Sequence, residues 1–228
     1  MSEAQAIENL ELSAEKIPKK KRCWEIDLIR GLCIIYTSIF HFCFIGRIYR
    51  SGFCIAILNN YFFTYILHYP VLYTLMFVSG ISKSFTKNDY KRFVKIGTAA
   101  LCITWITTLA AQVFVGMEGL IIVFGMLHQL SFCIIFFIAL DWILSKLDRT
   151  EKKYFRDMFL ILFAILVIVV GMLYFYPSYV HYNTKDVPLW ASLFVTSNQG
   201  YNISPGDFFA VAPTLGFYIF GTLFGKYF

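Results

Sequence analysis

The stretch Arg22–Phe42, RCWEIDLIRGLCIIYTSIFHF, decides the class of fold. It is apolar enough to enter a bilayer, yet it carries Glu25, Asp27, Arg30 and His41. A charge near mid-membrane costs about 2.5–3.5 kcal/mol on insertion scales, so such residues need partners or a water-filled cavity. A helix turns about 100° per residue, which brings Arg30 and His41, eleven residues apart, within about 20° of each other. Asp27 precedes Arg30 by one turn on the same side, and Thr37 and Ser38 fall near the same stripe. Leu28, Ile29, Leu32, Ile35, Phe40 and Phe42 occupy the other faces. One narrow polar stripe on an oily helix points into a bundle interior. At about 1.5 Å per residue, Arg30 lies about 9 Å in from Trp24, and His41 about 16 Å farther on.

The rest of the chain agrees. Of 228 residues, 58% are hydrophobic and 15% charged, against about 45–50% and about 25% in soluble domains. The mean hydropathy is +0.64. This excludes an ordinary soluble domain and predicts an integral membrane protein. The net charge of +6 is not a nucleic-acid signature, because the basic residues flank apolar spans, and no nucleic-acid partner is expected. The six cysteines form no CxxC pair and no metal-ligand spacing, and they read as small buried hydrophobes. No metal is expected.

Residues 1–22 read as a polar, basic tail ending in Lys19-Lys20-Lys21-Arg22, and residues 23–228 as the transmembrane domain. About six spans of roughly 20 residues fit, near Trp24–Gly46, Tyr61–Ser82, Phe93–Val115, Leu120–Leu144, Phe155–Tyr176 and Asp207–Tyr227. Lys and Arg crowd the segments around 16–22, 83–95 and 146–156, while the alternate loops hold few. The positive-inside rule then puts both termini in the cytosol. The predicted fold is an all-α, polytopic membrane helical bundle, expected in the plasma membrane. The loop Pro177–Gly206 faces outward, and Ser204-Pro205-Gly206-Asp207 reads as a helix start. His68 sits beside Pro70, where a local hydrogen bond to a freed carbonyl is its expected use. His181 and Glu118 are expected in solvent.

The motif EIDLIRGLCIIYTSIFHF, with Arg30-Gly31 followed eleven residues after the arginine by His41, resembles the opening helix of the heparan-alpha-glucosaminide N-acetyltransferase catalytic-domain family. More distantly it resembles the transmembrane acyltransferases that O-acetylate sugars. FVSGISKSFTKNDYKR (77–92), FGMLHQL (124–130) and DFFAVAPTLGFYIFGTLFGK (207–226) resemble later segments of the same family in the same order. Pro213-Thr214 stands where the family often has Pro-Trp, and the family usually continues with further helices beyond residue 228.

The resemblance implies an acetyltransferase that takes acetyl-CoA from the cytosol and passes the acetyl group to a saccharide-type acceptor outside. Under it, Arg30, Lys91 and Arg92 bind the CoA phosphates, for which guanidinium forks are suited. His41 becomes the general base. Asp27 orients Arg30, and His128 stands opposite His41 as second base, orienter or acetyl carrier. Ser79-Gly80 lets a neighbouring helix approach closely, as plain packing or as the seal of a tunnel. Two alternatives stay open: a transporter of a small polar solute with a His/Arg pathway, and a non-catalytic scaffold. Homodimerisation also stays open.

Overall fold

The stretch with the polar stripe folds as helix α1, Trp24–Ile48, with Glu25 and Asp27 in its first turn and Arg47 in its last, each of the sign that suits the helix dipole. The computed structural model describes residues 23–113, 121–122, 124–147, 153–181 and 211–227. Helix α2 (Gly52–Asn59), a π-helical segment (Phe62–Leu67), α3 (His68–Ile81) and a short 3-10 turn (Ser82–Phe85) follow. Then come α4 (Asp89–Val113), α5 (Met126–Leu147), α6 (Lys153–His181) and α7 (Val211–Phe224), closed by a 3-10 turn at Gly225–Tyr227. Every regular element among the described residues is helical.

Five of these stretches are long and apolar enough to cross a membrane: Trp24–Arg47, Phe62–Phe85, Asp89–Val113, Met126–Lys146 and Phe155–Leu173. They correspond to the first five predicted spans. The sixth is different. The described part of α7 has 14 residues, and the expected helix start at Ser204–Asp207 lies outside the described residues. Ala212 inside it is extended (φ −91°, ψ 132°), as a residue before proline prefers, so the regular turns begin at Pro213. Two further differences are local. Helix α6 runs on to His181 instead of stopping at Tyr176, and the short α2 was not anticipated. Beside Pro70, which has no N–H to give, the chain widens into the π-helical segment, and Tyr36 donates a hydrogen bond to the Phe63 carbonyl there (2.8 Å).

Helix α7 is the centre of the bundle. It packs closely on α3 and on α6, and touches α5. Small residues make this possible, as in other membrane bundles. A Cβ on Gly221 would meet the Phe77 carbonyl and Gly80, and one on Gly171 would meet the backbone of Pro213 at 2.6 Å. Ser79-Gly80 thus serves close helix packing. The main core lies between α5, α6 and α7, with Cys133, Ile134, Phe137, Leu160, Leu215 and Ile219 buried. Helices α1 and α4 lie at the flanks. Helix α1 packs on α2 and α3, and α4 packs mainly on α5.

Candidate active site

Between the two flanking helices lies a cavity of about 490 Å³, within the usual range of small-molecule sites. Helix α1 contributes Ile34, Thr37, Ser38, His41, Phe44 and Ile45; of the polar stripe read from the sequence, Thr37, Ser38 and His41 line the cavity and Asp27 and Arg30 do not. Leu75 of α3 lies at the back, α4 adds Ile103, Ile106, Thr107 and Ala110, and Ile122 and Gly125–His128 close the side. His41 and His128 therefore line one cavity.

His128 is held by α4. Its Nε2 lies 3.0 Å from Thr104 Oγ1, and the same hydroxyl lies 2.8 Å from the Ile122 carbonyl. A hydroxyl has one proton, and a carbonyl can only accept. With that proton on Ile122, Nε2 of His128 is assigned as the N–H donor and Nδ1 as the acceptor nitrogen of the neutral ring. Thr107 Oγ1 accepts from the Ile122 backbone N–H (3.2 Å). Two threonines one turn apart thus fasten the segment that leads into α5. Sequence reasoning missed both.

Arg30 is not among the cavity-lining residues. It sits one turn below Ile34, pairs with Asp27 (3.0 Å) and donates from Nη2 to Ser82 Oγ, which in turn donates to the Val78 carbonyl (2.8 Å). Arg92 approaches the same turn of α3 from α4 and donates from Nη2 to the Ser79 carbonyl (2.9 Å). Its Nη1 is buried and has no hydrogen-bond partner. Arg30 and Arg92 therefore converge on Ser79–Ser82, and Asp27 braces the first of them. Lys91 does not join them: its side chain is exposed, and its backbone N–H donates to the capping Asn88 Oδ1 at the start of α4 (3.0 Å).

His68 lies outside this cavity. It is buried in α3, with its ring centroid 3.9 Å from that of Phe40 in a stacked arrangement, and Phe40 is in turn edge-on to His41 at 6.2 Å. At the basic end, ion pairs Arg156–Asp141, Lys226–Asp157 and Lys83–Asp89 tie the helix ends together. Sequence reasoning used the basic residues of this group for orientation only. Glu118 lies outside the described residues.

A protein-family model described as "Heparan-alpha-glucosaminide N-acetyltransferase, catalytic" matches residues 22–228. No curated protein and no solved structure matches the chain.

Proposed function

The chain belongs to the heparan-alpha-glucosaminide N-acetyltransferase catalytic family, and from that premise we propose that it is a membrane acetyltransferase using acetyl-CoA as donor and a saccharide-type amine or alcohol as acceptor. The observation that carries this reading is the convergence of His41 and His128 on one cavity, whose first α1 lining residue, Ile34, stands one helical turn above Arg30. We read residues 23–228 as the acyltransfer domain and residues 1–22 as its cytosolic tail, with donor entering at the basic end and acceptor from the other face.

Arg30 and Arg92 would take the CoA phosphates. Both offer guanidinium N–H groups, and Arg92 Nη1 lacks a protein partner. Asp27 holds Arg30 in place. The thioester arm would follow the α1 stripe past Ile34 into the cavity. There His41 accepts the proton of the acceptor N–H or O–H as that atom attacks the thioester carbonyl. The new C–N or C–O bond forms, the C–S bond breaks, and the CoA thiolate recovers a proton from the imidazolium. His128, fixed through Nε2 by Thr104, offers Nδ1 to the acceptor and orients it for attack. An isolated thioester reacts slowly with a neutral amine or alcohol at neutral pH, and a positioned base is worth about 10²–10⁴-fold in rate.

The test is acetyl transfer by purified protein in nanodiscs, wild type against His41→Ala, His128→Ala and Arg30→Ala. His41→Ala should lower kcat by about 10²-fold or more. Arg30→Ala should act chiefly on the KM for acetyl-CoA. Turnover unchanged in all three variants would overturn the reading.

A further inference from the structure

Among the described residues, the cavity that holds the two imidazoles is not walled on every side. Helices α1 and α4 flank it, and each packs chiefly on other helices, α1 on α2 and α3 and α4 on α5. Three lining isoleucines stand on this open flank, with Ile34 51%, Ile45 43% and Ile106 65% exposed. Both helices are long and apolar enough to span the membrane, so the gap between them opens sideways at the level of the acyl chains.

The lining chemistry points the same way. Besides the two histidines, the polar lining side chains are Thr37, Ser38 and Thr107. Thr37 donates to the Cys33 carbonyl (2.8 Å), Ser38 to that of Ile34 (2.9 Å) and Thr107 to that of Ile103 (2.8 Å). Their protons are spent within their own helices. A free sugar with many hydroxyls would exchange water for a mostly hydrocarbon wall and lose hydrogen bonds that the wall does not return. A hydrocarbon chain loses nothing there.

Building on the acetyltransfer reading, we infer that the acceptor is an amphiphile: a polar head bearing the reacting amine or hydroxyl, on an alkyl or isoprenoid tail that enters between α1 and α4 from the bilayer. The tail lies against Ile34, Ile45 and Ile106, which places the head at His41 and His128. The membrane then concentrates the acceptor in two dimensions, and the site needs few polar contacts to select it.

The experiment compares free glucosamine with its octyl and dodecyl β-glycosides as acceptors, in nanodiscs holding the full chain. Acetylated product is read by mass spectrometry. The expected result is a kcat/KM that rises by about tenfold or more from the free sugar to the octyl glycoside, and rises again for dodecyl. Ile106→Trp and Ile34→Trp should shrink that ratio towards one. A dodecyl glucosaminide with a diazirine at the tail end should crosslink to residues 34–45 and 103–110 without acetyl-CoA, and unlabelled dodecyl glucosaminide should block it. Equal kcat/KM for free and alkylated sugar overturns the inference while leaving acetyl transfer intact. Crosslinks scattered over lipid-facing positions such as Trp24 and Phe155, or blocked by phospholipid alone, overturn it as well. Cavity-confined crosslinking with no turnover on any acceptor retains the tail site and removes the acetyltransfer reading.

Discussion

Thr104 serves two partners with one hydroxyl, and its replacement separates positioning from chemistry. Thr104→Val leaves His128 Nε2 and the Ile122 carbonyl without it. The loss of such a bond is worth about 1–2 kcal/mol, or about 5–30-fold in an equilibrium or rate. The expected outcome is a kcat reduced by about that factor with an unchanged KM for acetyl-CoA, and recovery in Thr104→Ser, measured by initial rates. Arg30→Lys should do the reverse. An ammonium cannot offer the planar fork that reaches both Asp27 and Ser82, so the acetyl-CoA KM should rise by about tenfold or more, the worth of one charge-assisted hydrogen bond. The imidazoles of His41 and His128 were legible in the sequence because titratable groups stand out in apolar runs. Thr104 was not, since most helical hydroxyls merely bond back to their own helix, as Thr37 and Ser38 do. Basic loop composition likewise does not tell which of two adjacent cations turns inward: Arg92 reaches the Ser79 carbonyl, whereas the Lys91 side chain is exposed.

At the scale of elements, the contact of α3 with α7 rests on backbone meeting backbone. A Cβ on Gly80 would come within 2.9 Å of the Thr222 nitrogen, whereas one on Gly31 of α1 meets nothing within 4 Å. Gly80→Leu should therefore cost about 1–3 kcal/mol or more, read as a lowered midpoint of thermal unfolding in detergent, while Gly31→Leu should change it little. The five long spans were visible in advance because hydropathy and flanking charge are properties of the chain itself. The place of α7 was not. Its glycines, Thr214 and Pro213 could suit a surface as well as a centre, and only the facing residues decide. Gln129, fully buried, donates to the Val211 carbonyl (3.3 Å) and to Thr214 Oγ1, a contact across more than eighty residues that no local pattern announces. Thr214 thus holds a polar partner at the position where the family often carries tryptophan.

For the molecule as a whole, charge asymmetry predicts direction. The end of the bundle with Trp24, Lys83, Lys146, Arg156 and Lys226 holds the three ion pairs, and Tyr49 lies at the opposite end of α1. Tyr49 and Tyr227 are both exposed. In intact cells Tyr49→Cys should react with a membrane-impermeant maleimide, and Tyr227→Cys only after permeabilisation. The reverse pattern would invert the donor and acceptor faces. The position of α7 also bears on biogenesis. The segment on which α3 and α6 converge follows both of them in the chain, so neither can reach its final neighbour while it leaves the ribosome. The early helices must wait in the lipid as loosely associated pieces, and a nascent chain halted before Val211 should remain open to proteases that spare the finished protein.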